Sequence, residues 1–217
     1  MANYEYIIAS LPVLARSPKD GALPSWDGTL SFIRSQCTKD DSLLLDQLLR
    51  GFDEDSLGEA FYREAMGERP RKADVFAPEE SRPMPPVNGF IKEWFTFDLR
   101  VRNEKVRYLN RALGRPEAQD IFLVPEGEFP ELARVRAVLE GKDILEREKG
   151  LDELMWNKAL EAVTFHNFDM DVVLSFVARL HIAKRWELLD PAKGEELFRR
   201  LVDEVRGTFK GVDFKSE

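Results

Sequence analysis

Residues 90–113 read FIKEWFTFDLRVRNEKVRYLNRAL, and this stretch constrains the fold more than any other part of the chain. On a helical wheel of about 100° per residue, its apolar side chains cover an arc of roughly 200°. The arc contains Phe90, Ile91, Trp94, Phe95, Phe97, Leu99, Val101, Val106, Tyr108 and Leu109. A helix with so wide an apolar face needs packing partners on two sides, so the pattern predicts a central helix in a multi-helix core.

Asp98 and Arg102 lie four residues apart and project from near the middle of this arc. At that spacing the two side chains can form an ion pair along one helix. Each charge loses hydration when it is buried, so such a pair needs further hydrogen bonds. We interpret the pair as a structural polar pair that orients neighbouring helices. The alternatives are a face that stays open for a partner and a pocket that binds a small molecule.

Helical spacing continues through most of the chain, and no βαβ alternation or series of hairpins is present. The sequence therefore predicts an all-α, multi-helix protein of about eight helices. Apolar spacing predicts helices near 30–33, 43–49, 56–66, 88–113, 132–139, 144–163 and 169–190, and one more after Pro191. Residues 4–14 fit either a short helix or a strand. The helix at 169–190 is apolar on all sides, so we expect it at the centre of the C-terminal core.

Residues 67–88 hold five of the twelve prolines, a density that excludes regular structure. This segment predicts a proline-rich linker between an N-terminal helical region at 1–66 and a C-terminal helical domain at 89–217.

Charge is unevenly distributed in a chain with 40 acidic and 32 basic residues and a net charge of -8. The acidic excess argues against a nucleic-acid partner. Residues 98–115 nevertheless carry a local balance of +4, whereas residues 37–59 hold seven acidic and two basic residues. Both segments fit ordinary solvated helix faces, or two patches of opposite sign that orient the protein between partners. On the second interpretation, Arg100, Arg107 and Arg111 are candidate partner-binding residues.

Motifs of catalysis and of cofactor or metal binding are missing from the sequence. It has no Walker loop, no GxGxxG and no GxSxG, and His166, His181 and Cys37 lack the spacing of a zinc site. We therefore predict no catalytic, cofactor-binding or metal-binding residues. His181 in its apolar helix is typical of a core histidine, and His166 is expected to cap a helix or lie at the surface.

The expected compartment is the cytoplasm. A single cysteine excludes a disulfide framework. The apolar start contains Glu5 and no early Lys or Arg, which is atypical of a signal peptide, and no apolar run approaches about 18 residues.

Three segments carry a resemblance to a known family: YEYIIASLPVL, EWFTFDLRVRNEKVRYLNRALG, and EREKGLDELMWNKALEAVTFHNFDMDVVLSFVARLHIAKRWELLD. Together they resemble a helical family of unknown function that is encoded in bacterial V-type ATPase gene clusters. That family in turn resembles the V-type ATPase C-subunit family, known in eukaryotes as the d-subunit family, whose repeats contain a DLxxxN core and a following Leu-Pro-x-Gly turn. The corresponding pieces here are Asp98, Leu99 and Asn103, then Gly114, and LVPEG at 123–127.

The resemblance implies two related helical subdomains and a role in ion transport by rotor coupling. It implies a non-catalytic subunit that joins the central stalk to the proteolipid ring, peripheral at the inner membrane face and attached through protein contacts alone. Asn103 and Arg185 join the candidate partner-binding residues on this basis. The alternatives are an assembly factor or regulator of the same ATPase, and an unrelated helical enzyme. Members of the C-subunit family form a socket for the foot of the central stalk. The chain is shorter than these members by about one repeat, so the resemblance does not imply that it forms a complete socket.

Overall fold

The computed structural model describes residues 3–16, 21–68, 85–122, 124 and 126–188, and within these ranges the chain forms eight α-helices and no strand. The helices are α1 (Tyr4–Ser10), α2 (Trp26–Gln36), α3 (Lys39–Arg50), α4 (Glu59–Ala65), α5 (Gly89–Ala112), α6 (Leu132–Leu139), α7 (Ile144–Glu161) and α8 (Met170–Leu188). The all-α prediction is confirmed. The helix predicted after Pro191 lies outside the described residues.

Side-chain caps explain where the N-terminal helices begin. The ambiguous first segment is a helix, because the Asn3 side chain accepts a hydrogen bond from the Tyr6 amide at 3.0 Å. Helix α3 begins with a capping box between Thr38 and Asp41. The Tyr4 hydroxyl donates to the same Asp41 at 2.8 Å, which joins α1 to the start of α3. Part of the acidic segment at 37–59 therefore serves local helix geometry.

Helix α5 begins and ends within one residue of its predicted bounds. The Asn88 side chain accepts from the Ile91 amide at 2.8 Å and so caps the first turn. At the other end Gly114 has a positive φ of 65°, and the Arg115 amide bonds the Asn110 carbonyl at 2.8 Å. This is the Schellman arrangement, which favours glycine because a side chain is strained at positive φ.

Two hydrophobic clusters meet at α5. The larger one holds Ile7, Ile33, Leu45, Phe95 and Leu174, among others, so it draws on helices from both sides of residues 67–88. The smaller one is formed by Phe97, Val101, Val135, Leu139 and Leu151, from α5, α6 and α7. Helix α5 thus packs on two sides, as predicted. The division into 1–66, 67–88 and 89–217 stays a prediction, as does the presence of two subdomains.

Helix α8 is the most deeply buried helix of the larger cluster. Its residues Val173, Leu174, Val177 and Leu180 have no exposed surface, which confirms the predicted central position. It packs against α1, α3, α5 and α7. Burying one such aliphatic side chain contributes about 1.5–3 kcal/mol, so α8 stabilises the N-terminal and C-terminal helices together.

Candidate interaction surface on helix α5

Asp98 and Arg102 form the predicted ion pair and share a third partner from α4. Arg102 Nε donates to Asp98 Oδ2 at 2.8 Å, and the Tyr62 hydroxyl donates to the same oxygen at 2.6 Å. Burial, together with the charge of Asp98, raises the pKa of Tyr62, so its hydroxyl stays a donor at neutral pH. The three groups join α4 to α5. The architectural role assigned to the pair stays a prediction.

Glu104 is a buried charge that the sequence did not single out. It is 2% exposed and accepts hydrogen bonds from Arg107 and, at 2.9 Å, from Arg136 Nε on α6. Burial alone raises the pKa of Glu104, but the hydrogen bonds from the two guanidinium groups outweigh it and lower the pKa. Glu104 therefore stays ionised and fastens α6 to α5.

The basic residues predicted to bind partners have contacts within the fold. Arg100 donates to the Glu128 carbonyl, and its guanidinium lies 5.5 Å from the centre of the Phe129 ring. Arg107 pairs with Glu104. Arg111 is the most open of the three, with its nearest carboxylate 3.9 Å away on Glu117. Their role in partner binding stays a prediction.

Asn103 uses its side chain to hold the segment that follows α5. Its Nδ2 donates to the Phe122 carbonyl at 2.9 Å, and its Oδ1 accepts from the Phe122 amide at 3.3 Å. Asn110, two turns further, donates to the Gln119 carbonyl at 2.9 Å. Both asparagines are buried, and the side-chain amide of Asn103 forms its hydrogen bonds within the chain.

Arg185 lies in a charged network that joins α5, α7 and α8. It pairs with Asp152 at 2.6 Å and with Glu148 at 3.4 Å, and Lys105 of α5 pairs with Glu148 at 3.1 Å. The Trp186 indole also donates to Asp152 at 2.8 Å. Burial raises the pKa of Asp152 even though Arg185 acts in the opposite direction.

An apolar stripe follows Arg102 along the second half of α5. Val106, Leu109 and Leu113 continue from Arg102 at helical spacing, and Leu109 and Leu113 are 53% and 62% exposed. We call these three residues the leucine stripe. The stripe lies within residues 98–115, which hold six basic and two acidic residues, so this segment of the chain is basic.

Leu109 belongs to the apolar arc of α5 but is 53% exposed, so its neighbours leave this part of the arc uncovered. Helix α4 reaches α5 at Asp98. The described part of α8 runs alongside α5 from Asn88, which bonds Asp171, to the level of Lys105, which shares Glu148 with Arg185. Sequence spacing does not reveal where along a helix its packing partners end.

His181 is packed among aromatic rings, as expected of a core histidine. Its imidazole stacks on Phe52 with 4.0 Å between ring centres, and the Trp26 ring lies 5.8 Å away. Burial, with the nearby charge of Arg185, lowers the pKa of His181 to about 4.

Replacing His181 with phenylalanine is expected to remove part of the acid sensitivity of the fold. In the unfolded chain the His181 pKa is near 6.5, so stability from the neutral imidazole is present above that pH and is lost as the pH falls towards 4. Between pH 7 and pH 5, the wild type should lose about 2 kcal/mol more than H181F in urea unfolding. An equal loss in both proteins would show that His181 is not held neutral.

Two clefts adjoin α5, and most of the residues that line them are of charged or polar types. The smaller, of about 190 Å³, lies between Arg100, Arg107 and Phe129. The larger, of about 310 Å³, contains Lys158, which pairs with Glu93 at 2.9 Å. Ligand pockets are usually lined by apolar side chains with few polar groups.

Among the described residues, no group of three or more His, Cys, Asp or Glu side chains is placed to hold a metal ion. No helix in the same part of the chain has the length and hydropathy to cross a membrane.

Comparison with protein families finds a domain of unknown function in the C-terminal half. A family model described as "Protein of unknown function (DUF2764)" matches residues 117–208, which include α6, α7 and α8 but not α5. Comparison with curated proteins and with solved structures gives no match. Nothing in these results links the matched domain to the C-subunit family of V-type ATPases.

Proposed function

We propose that this protein is a non-catalytic subunit of a V-type ATPase or ATP synthase, in which it couples the central stalk to the membrane rotor ring. Two things support the proposal: the resemblance of residues 90–190 to the family encoded with that ATPase, and the exposed leucine stripe on α5. The exposed leucine stripe is the main support, because a coupling subunit needs a rigid body that presents a surface to a partner.

Helix α5 is suited to transmit force. It has 24 residues and is therefore about 36 Å long. It packs against α4, α6, α7 and α8, and close-packed interiors resist deformation. A load applied at one end of α5 would reach the other end through this packed body.

The leucine stripe has the spacing and the chemistry of a helix-docking surface. Val106, Leu109 and Leu113 would contact the apolar face of a partner helix, and burying each leucine would contribute about 1.5–3 kcal/mol. Arg102 and Lys105 border the stripe along the helix and stay partly exposed, although each is paired with a carboxylate, Asp98 and Glu148 respectively. Opposite charge favours association, so we expect an amphipathic partner helix with acidic residues at its edges.

Co-purification with the native ATPase tests this function. Tagged wild-type protein should be retained with the ATPase, and the variant L109D/L113D should lose about tenfold or more of this retention because it buries two carboxylates in the contact. Val13→Asp is the matched control, since Val13 is almost fully exposed and lies in another part of the chain.

Failure of the wild type to co-purify would overturn the proposal. Equal retention of wild type and L109D/L113D would show that the stripe is not the contact. A permanent component should be present at fixed stoichiometry in the mature complex, whereas an assembly factor should be enriched only in partial complexes.

A further inference from the structure

Two phenylalanines in the turn between α7 and α8 are exposed to solvent. Phe165 is 95% exposed and Phe168 is 59% exposed, whereas Phe90 and Phe97 of α5 are buried. An aromatic side chain that is left in water forgoes a large amount of burial energy. Neighbouring aromatic groups that are exposed together often mark an interaction site.

Hydrogen bonds hold this turn in one conformation. The Thr164 amide donates to the Glu161 carbonyl at 3.1 Å, and the His166 amide donates to the Val163 carbonyl at 3.0 Å. His166 Nδ1 lies 2.6 Å from Asp169 Oδ2, while Asp169 Oδ1 accepts from the Val172 amide at 3.2 Å and caps α8. A turn ordered in advance loses less entropy when a partner binds it.

The surroundings of the two rings are acidic. Residues 161–171 contain Glu161, Asp169 and Asp171 against no Lys or Arg and one histidine, His166, whose pKa is raised by its hydrogen bond to Asp169. Lys158 on α7 pairs with Glu161 at 3.6 Å, and Asn88 on α5 donates to Asp171 at 2.5 Å. Since carboxylates repel an anionic lipid surface, the charge favours a protein partner with basic residues.

The turn lies at the opposite end of α5 from the leucine stripe. Asp171 contacts Asn88, which caps the N-terminus of α5, and His166 lies 3.8 Å from the same Asp171. From Asn88 to Leu109 the helix rises about 32 Å. One end of the α5 body therefore carries apolar groups among basic residues, and the other carries apolar groups among acidic residues.

We infer that Phe165 and Phe168 form a second docking surface, which binds a protein partner through an apolar pocket rimmed by Lys or Arg. The inference rests on the proposed function: the partner is a component of the same ATPase, distinct from the one that binds the leucine stripe. The two surfaces have opposite charge and lie at opposite ends of one rigid helix. Each surface therefore binds a different partner, and the helix couples the two.

The test compares the full-length wild type, F165S/F168S and the control V13S for binding to purified native ATPase. F165S/F168S should bind about tenfold or more weakly, V13S should bind like the wild type, and added NaCl should weaken the wild-type contact. Both phenylalanines are exposed, so the variant should keep the helical content of the wild type by circular dichroism.

Each other outcome overturns the inference in a distinguishable way. Equal binding of wild type and F165S/F168S removes the second docking surface and leaves the proposed function intact. No binding of the wild type removes both. Sedimentation of the wild type, but not the variant, with vesicles of phosphatidylcholine and phosphatidylglycerol would make the turn a lipid contact. Self-association that depends on the two rings would make a second copy the partner.

Discussion

Replacing Phe95 with alanine is expected to destabilise the fold by about 4 kcal/mol, the largest effect of any single change proposed for this chain. Phe95 is 1% exposed and makes an edge-to-face contact with Phe61 of α4, with 4.8 Å between ring centres. Its removal leaves a cavity where α3, α4 and α5 meet, and the loss combines burial energy with the cost of that cavity. Urea unfolding at neutral pH measures it.

Gly51 provides an internal control for the position of Phe95. A Cβ at Gly51 would lie 2.2 Å from Phe95 Cζ and 2.8 Å from Phe61 Cζ, although the backbone of Gly51 is in the right-handed helical region and accepts any residue. Gly51→Ala should therefore cost about 2 kcal/mol in the wild type and at least about 1 kcal/mol less in the F95A background. Equal costs in the two backgrounds would mean that Phe95 is not the side chain that opposes a Cβ at Gly51.

Removal of the Glu104 carboxylate is expected to cost about 2–3 kcal/mol. Glu104→Ala leaves Arg107 and Arg136 without their shared acceptor, and losing one member of a buried charge cluster is strongly destabilising. The two guanidinium groups are partly exposed and can turn towards water. The expected loss in the free energy of unfolding therefore lies at the lower end of the range for buried charge clusters. Chemical denaturation gives the value.

Two further variants separate charge from packing at this site. Glu104→Gln keeps the shape and an acceptor oxygen but removes the charge, so it should be less destabilising than Glu104→Ala. Arg136→Ala should cost about 1 kcal/mol or less, because Arg136 lies at the surface and Glu104 keeps its bond to Arg107. A stability of Glu104→Ala within about 0.5 kcal/mol of the wild type would mean that Glu104 is not buried as described.

Local sequence signals were sufficient for α5 and α8, but they left residues 4–14 open between helix and strand and covered only part of α2. The bounds of α5 follow from Asn88 at its start and Gly114 at its end, and the central position of α8 follows from its uniformly apolar surface. Both signals act within one helix, so no knowledge of its neighbours is needed. The site depends on contacts between helices, and the sequence was much less informative there.

Glu104 and the leucine stripe show why the sequence is less informative about contacts between helices. Phe97, Val101, Glu104 and Tyr108 follow one face of α5, and a carboxylate on that face was a signal that could have been read. Its partner Arg136 lies 32 residues further along the chain, where no spacing rule connects them. The exposure of Leu109 likewise depends on which neighbours cover that part of α5, which is a property of the packed molecule.

Photo-crosslinking in the assembled ATPase tests the central claim most directly. A photoreactive amino acid is placed at position 109 in one variant and at position 165 in another, with position 13 as the control. If the protein couples two parts of the machine, positions 109 and 165 should crosslink to two different subunits, and position 13 to neither of them. Crosslinks from both positions to one and the same component, or to no component of the ATPase at all, would contradict the coupling role.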